Sequence, residues 1–173
     1  MPVEVALPLL VRGPLDASGS ALGELWTSFG IGALIGALAT NQLRRLPQTT
    51  LLVAIIAAWA GCVGVLASAP NVAVAATAFA VGGLIYAPFT PVAYSLVQSR
   101  LGPDQQQPVI TLWAAGSAVA APIGLVIAGP LVQLTGVRGG LLTSAALTLA
   151  LVPAAAHALF RAGSRSTADA TNT

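Results

Sequence analysis

Charge is scarce in this chain. Only 7% of its 173 residues are Asp, Glu, Lys or Arg, against about 25% in an ordinary soluble domain. With 56% hydrophobic residues, that shortfall excludes a soluble fold. Lysine is absent, so all seven basic residues are arginine, and the formal net charge of +2 is too small to call for a nucleic-acid partner. There is one cysteine, Cys62, and one histidine, His157. A lone cysteine closes no internal disulfide and reads as a small buried packing residue. A lone histidine without a cysteine cluster completes no zinc site. GxGxxG, a Walker loop and a G-x-S-x-G elbow are missing as well. The sequence therefore offers no catalytic residue, no metal site and no cofactor, and it does not read as an enzyme.

What it has in quantity is long apolar runs. Val72–Ser99 and Pro108–Thr135 both exceed the roughly 20 uncharged residues that a helix needs to cross a bilayer at about 1.5 Å per residue. Pro88 and Pro91 interrupt the first, Pro122 and Pro130 the second. Such breaks survive in a membrane where neighbouring helices, hydroxyls or water satisfy the freed carbonyls, so both helices are expected to bend and to face protein or a cavity. The polar stretch Arg100–Gln107 is the turn between them.

The fold class that follows is all-α: a polytopic membrane bundle over 20–160, with spans at about 21–43, 50–69, 72–99, 108–135 and 137–160. Residues 1–19 form a helix end and a loop, with Ser20 a candidate N-cap. Val5–Val11 is too short to span, and with an acidic residue before it does not read as a signal peptide; it reads as the tail of a helix whose beginning is absent. Residues 161–173 have the composition of a disordered tail.

Small residues recur every fourth position on two spans. Ser28, Gly32, Gly36 and Thr40 form one stripe, and Gly116, Ala120, Gly124 and Ala128 another. Stripes of this kind let membrane helices approach closely, so each calls for a helical partner. Glu24 falls in a first turn, as a solvated carboxylate or, less simply, a proton-coupling acid. If the spans alternate, Arg44, Arg45, Arg100, Arg161 and Arg165 lie on one side and Arg12 and Arg138 on the other. The positive-inside rule then places the carboxyl terminus in the cytoplasm of a multi-pass protein of the cell membrane. Trp26 and Trp113, near span ends, suit the interfacial aromatic belt, and mid-span Trp59 suits packing against lipid or a neighbouring helix.

The order of these features resembles the carboxyl-terminal half of a major facilitator superfamily transporter of the drug, macrolide and siderophore exporter branch. The phrase LPLLVRGPL, followed by SALGELWTSFGIGALIGALATNQLRR, is similar to the end of that family's seventh helix, its eighth helix and the loop to its ninth. PIGLVIAGPLVQLTG is similar to its eleventh, and the resemblance runs from Leu7 to about Phe160. In the family's inner-loop motif G-x-L-x-D-x-x-G-R-[KR], Gly36, Leu38, Arg44 and Arg45 match, while Thr40 and Leu43 replace the aspartate and the glycine. Arg44 and Arg45 are then either gating residues or a topology signal on a solvated loop.

The resemblance implies two six-helix halves with a substrate cavity between them near the bilayer midplane, and transport by rocking of one half on the other. The eighth and eleventh helices of the family pack against the other half, so both small-residue stripes would lack their partners in this chain. Tyr86, Thr90 and Tyr94 follow at i, i+4 and i+8 beside Pro88 and Pro91. If this run is the tenth helix, that face lines the cavity, since interrupted helices mark transporter sites; otherwise the tyrosines, Tyr94 foremost, are interfacial anchors.

The implied function is transmembrane transport, as a truncated or split half of a secondary active exporter of small amphipathic molecules driven by proton exchange. Its partners would be the lipid bilayer, a small-molecule substrate, and an amino-terminal transporter half or a second copy. The alternative is a membrane interaction protein that transports nothing, or a nonfunctional remnant.

Overall fold

The computed structural model describes residues 2–43 and 45–170, with side chains described for 3–43 and 45–158. Arg44, and the side chains of Phe160, Arg161 and Arg165, on which part of the topology and gating expectations fell, lie outside the described residues. The elements are all helical: α1 (Pro2–Arg12), α2 (Gly19–Leu43), α3 (Gln48–Ser68), α4 (Val72–Tyr86), α5 (Phe89–Arg100) and α6 (Pro103–Ala170). Four stretches, Gly19–Leu43, Gln48–Ser68, Val72–Arg100 and Pro103–Ala158, are long and apolar enough to cross a membrane. The last is 56 residues long, far more than one bilayer takes. Gly136, at φ 73° and ψ 169°, divides it into two arms, residues 103–135 and 137–170. That backbone conformation is open to glycine almost alone.

The third run is broken where proline falls. α4 ends at Tyr86, Ala87 and Pro88 stay near helical dihedrals, and α5 begins at Phe89, so the run bends without reversing. Pro91 sits in the first turn of α5, where a missing N–H costs no helical bond. The side chain of Asn71 caps α4 by accepting the Val74 N–H at 3.0 Å.

Three boundaries differ from the sequence reading. α2 starts at Gly19, so Ser20 is inside the helix; the Ser18 carbonyl takes the Ala21 N–H, and the Ser18 and Ser20 hydroxyls bond each other at 2.7 Å. The turn expected over Arg100–Gln107 shrinks to Leu101 and Gly102, because Pro103 is well placed to open a helix and the Gly102 carbonyl accepts the Gln105 and Gln106 N–H groups. At the other end the helix passes Phe160 and continues to Ala170 instead of giving way to a disordered tail. No proline follows Pro153 to stop it, and its alanines favour the helix.

α1 is short but central. Val3, Ala6, Leu7, Leu10 and Val11 are all buried, at the i, i+3, i+4, i+7, i+8 spacing of one helical face. They form one core with Ala21 and Leu25 of α2, Val63 and Leu66 of α3, Ala75 and Phe79 of α4, and Leu141 and Ala145 of the second arm of α6.

α2 and α4 touch backbone to backbone. A Cβ at Gly32 would run into the Ala80 carbonyl, one at Gly36 into the Leu84 carbonyl, and one at Gly83 into the Phe29 carbonyl. The first small-residue stripe therefore has its partner inside this chain, which corrects the expectation that it awaits another half. Spacing shows that a close approach is possible and says nothing about which helix makes it. Along the stripe, the Thr40 hydroxyl donates to the Gly36 carbonyl at 3.0 Å and the Ser28 hydroxyl to the Glu24 carbonyl at 2.8 Å.

The second stripe is different. Gly116 and Ala120 are exposed, Gly124 is half-buried and Ala128 is buried; both glycines face open space. Leu112, Val119, Val126 and Leu134 are exposed on the same arm.

Long side chains tie the ends. Arg100 Nη2 donates to Thr49 Oγ1 at 2.9 Å, and Gln48 Nε2 to Ser95 Oγ at 2.8 Å, so the start of α3 and the end of α5 share one end of the bundle. At the opposite end, Arg138 Nη2 donates to the Ala69 carbonyl at 2.9 Å and fastens the α3–α4 turn to the second arm of α6.

Two glycines on the same helix separate packing from helix propensity. Gly32→Ala is expected to destabilise the fold by about 1–3 kcal/mol, because the methyl meets backbone that cannot yield. Gly30→Ala, in open space, gains up to about 1 kcal/mol from helix propensity. Equilibrium unfolding in detergent micelles reads both.

Candidate functional site

Tyr86, the last residue of α4, sits at the bend and is half-buried. Its ring centroid lies 5.3 Å from Trp59, 5.9 Å from Phe89 in a stacked pair, and 6.5 Å from Phe29. Phe29 meets Trp59 at 6.2 Å and Phe79 at 4.9 Å, and Trp26 meets Phe79 at 5.3 Å. In the other direction Phe89 meets Trp113 at 6.4 Å, and Trp113 meets Tyr94 at 5.2 Å. The chain has nine aromatic residues, 3 Trp, 2 Tyr and 4 Phe. All but Phe160, which is outside the described side chains, belong to this network.

Two cavities adjoin the centre of that network. One of about 190 Å³ is lined by Val3 and Glu4 of α1 and by the rings of Trp26, Phe29, Trp59, Phe79 and Tyr86. The other, about 320 Å³, lies among α1, α3, the bend and the second arm of α6; its lining includes Ile55, Ile56, Phe89, Ser144 and Thr148. Val3, Trp59 and Tyr86 line both, so these three side chains are the wall between them.

A larger groove of about 560 Å³ runs between α3 and α4 past Gly61, Cys62, Val65 and Val81. Its hydroxyl, on Thr77, is already donated to the Ala73 carbonyl at 2.9 Å. Size alone would choose this groove. Apart from that hydroxyl and the Cys62 thiol its lining is apolar, whereas the aromatic cavities carry ring faces, a carboxylate and hydroxyls.

The candidate residues are placed unevenly. Tyr86 lines both aromatic cavities, while Thr90 is exposed and, like Tyr94, lines neither. Tyr94 packs on Trp113, Pro91 is half-buried, and Pro88 is buried beside a separate cavity of about 340 Å³ between α2, α3 and α4. The row of three hydroxyls is not a single lining. Phe89 continues the ring path where Thr90 was expected.

The tryptophans join the same network. Of the two settings expected for Trp59, lipid or a neighbouring helix, it takes the second, packing on Phe29 of α2 and Tyr86 of α4, and Trp26 and Trp113 also belong to the network. Thr40, where the inner-loop motif has aspartate, is buried with its hydroxyl on its own helix. Arg45 is exposed, and no group of three metal-ligating side chains occurs among the described residues.

Sequence reasoning missed Glu4, Phe29, Trp59, Phe79 and Phe89 as site residues. The pairs Trp26–Phe29 and Tyr86–Phe89 sit three apart on helices and were visible as neighbours. The links between helices were not.

The Trp59–Tyr86 contact is measurable. Trp59→Leu and Tyr86→Leu are each expected to cost about 1–3 kcal/mol, with about 0.5–1.5 kcal/mol of coupling between them. A double-mutant cycle on micellar unfolding checks this; strict additivity would mean that the rings merely share a boundary.

Comparison with known proteins agrees with this architecture. The Major Facilitator Superfamily family model matches residues 3–172. The multidrug efflux pump Tap of Mycobacterium tuberculosis is 30% identical over 132 residues, covering 76% of this chain and 31% of the pump. Tap of Mycobacterium bovis matches with the same identity and coverage. The chain thus spans about a third of the length of these curated relatives. No solved structure matches it. With the family model covering nearly the whole chain and apolar helices of membrane length beneath it, this chain belongs to the major facilitator superfamily of multi-pass membrane transporters.

Proposed function

We propose that this chain forms the carboxyl-terminal half of a secondary active exporter of small amphipathic molecules. The observation that carries the proposal is the pair of cavities sharing the Trp59–Tyr86 wall at the Pro88 bend. Aromatic faces hold apolar bodies of varied shape without demanding a fixed hydrogen-bond pattern, which suits a pump for many solutes. Ser144 and Thr148 add hydroxyl oxygens on one side of the larger cavity, Glu4 a carboxylate on one side of the smaller. The names of the Mycobacterium relatives, multidrug efflux pumps, support the same reading.

The mechanism needs no covalent step. An amino-terminal half would dock on the arm of residues 103–135, where Gly116, Ala120, Gly124 and the exposed apolar side chains leave a helix face uncovered. Rocking of the two halves would then open the cavities to one side and the other in turn. The end that carries Arg45 and Arg100 is assigned to the cytoplasm by the positive-inside rule.

Two measurements test this. In a Cys62→Ala background, Asn71→Cys is expected to react with an impermeant thiol reagent added outside intact cells, and Asp104→Cys to stay silent. The reverse pattern overturns the orientation. For function, efflux of a fluorescent amphipathic dye is measured with the chain expressed alone and together with an amino-terminal six-helix half. Efflux is expected only with both, and Tyr86→Ala is expected to lower it by about tenfold, a barrier change of about 1.4 kcal/mol. Val65→Ala, on the outward side of α3, is expected to leave it unchanged. Protein levels are matched first, since losing a large buried ring costs about 3–5 kcal/mol and mimics a transport defect through degradation. Equal efflux by the isolated chain would replace the half-transporter with a self-assembled oligomer.

A further inference from the structure

The seam between α3 and α4 is a furrow floored by small residues. The groove of about 560 Å³ and the cavity of about 340 Å³ beside Pro88 meet at Ala58, which lines both. Together they follow α3 from Leu51 to Val65, roughly 21 Å at 1.5 Å per residue, which exceeds the 15 Å or so of hydrocarbon in one leaflet. Ala54, Ala58 and Gly61 keep the furrow deep. All three are exposed, and a Cβ at Gly61 would meet nothing within 4 Å. The cavity beside Pro88 is lined by apolar residues throughout and opens sideways at Ala54, Ala58 and Leu84. At the depth of the spans its natural filling is hydrocarbon, since a void forfeits the dispersion contacts of its walls.

The two ends of the furrow differ in charge. Toward the α3–α4 turn the cation is Arg138, whose guanidinium is held on the Ala69 carbonyl. At the opposite end Arg45 is exposed, two residues beyond Leu43 of the lining and so within about 8 Å of it along the backbone. It stands on the loop that joins the α2 wall of the cavity to the α3 wall. Leu46 beside it is exposed as well, so this loop presents an apolar and a cationic side chain together, as segments at a membrane interface do. Arg100 is at the same end, with Nη2 on Thr49 Oγ1 two residues before Leu51. The described acid near Arg100 in sequence is Asp104, on α6, a helix that lines neither half of the furrow. We infer that the furrow binds an anionic phospholipid, with an acyl chain in the cavity beside Pro88 and the phosphate and headgroup at Arg45. The leaflet is the one at the Arg45 end, cytoplasmic in the orientation proposed above, and the binding itself does not depend on transport.

The full chain in detergent micelles is mixed with equal amounts of phosphatidylglycerol and phosphatidylcholine carrying the same acyl chains, and retained lipid is counted by native mass spectrometry. Phosphatidylglycerol is expected to be retained about fivefold over phosphatidylcholine, the weight of one basic residue at an anionic headgroup. Arg45→Gln is expected to at least halve that ratio, and Arg45→Lys to keep it. Ala54→Leu, which fills the furrow from an exposed helical position that leucine tolerates, is expected to lower retention of both lipids about threefold or more. A ratio of one in the unaltered chain, an unchanged ratio in Arg45→Gln, or unchanged retention in Ala54→Leu would each overturn the inference. Displacement of the lipid by an equal concentration of inorganic phosphate would reduce the site to an adventitious ion only. Efficient disulfide crosslinking of Ala54→Cys between two chains in a Cys62→Ala background would give the furrow to a second copy and overturn the lipid site. Dye efflux keeps this inference apart from the exporter reading. Normal efflux with a ratio of one sinks the lipid site alone, and Arg45-dependent lipid retention without efflux in the complemented cells sinks the exporter alone.

Discussion

The contact between α2 and α4 is made without side chains, and the site depends on it. Gly32 and Gly36 present hydrogens where a Cβ would meet the Ala80 and Leu84 carbonyls, and Gly83 does the same toward the Phe29 carbonyl. Such Cα–H···O contacts are individually weak, yet in a membrane close van der Waals approach takes the place of the hydrophobic drive between helices. The approach carries Phe29 of α2 up against Phe79 and Tyr86 of α4. Gly82 serves the other side of the same helix: a Cβ there would lie 3.1 Å from Cζ3 of Trp59. Adjacent glycines thus admit a backbone on one face and an indole on the next, and the ring cluster forms between three helices because neither position bears a side chain.

The proline bend belongs to the same arrangement. Pro88 has no N–H to donate to the Leu84 carbonyl one turn back, and that carbonyl is the one that Gly36 faces. The group freed by the break is covered by a neighbouring helix, which is the condition under which a break survives inside a bilayer. Gly136 breaks the chain for another reason: its positive φ lets two apolar arms leave one helix axis. A bend at Tyr86 and a reversal at Gly136 bring Phe89 of α5 and Ser144 and Thr148 of the second arm onto one cavity with Trp59.

Much of this architecture was legible in the sequence, and the limits have physical causes. Span lengths follow from bilayer thickness, so the apolar runs and the proline break could be read directly. The stripes were legible as a capacity for close contact. Their partners were not, because a four-residue spacing describes one helix: Gly32 and Gly124 look alike in sequence, yet one lies against α4 and the other faces open space. The site was legible only at Tyr86. Thr90 shares its helical register on paper, but the bend hands the next place in the ring path to Phe89. Glu4 was hidden by belonging to a segment too short to span, although α1 buries a full helical face and delivers that carboxylate to the rings.

The packing also divides the molecule into a part that cannot slide and a part held more loosely. Backbone seated on backbone along α2 and α4 leaves no room for translation, since moving by one residue would put a Cβ where a glycine hydrogen now sits. α1 and the start of the second arm are locked onto this pair through fully buried Leu7, Leu10 and Leu141. The arm of residues 103–135 has no comparable hold. Its aromatic tie is Trp113, set between Phe89 and Tyr94 of the bent helix, and Gly116 and Gly124 on it face open space. The Trp59–Tyr86 wall stands on the locked part, while the ring path from it runs through Phe89 to the loosely held arm.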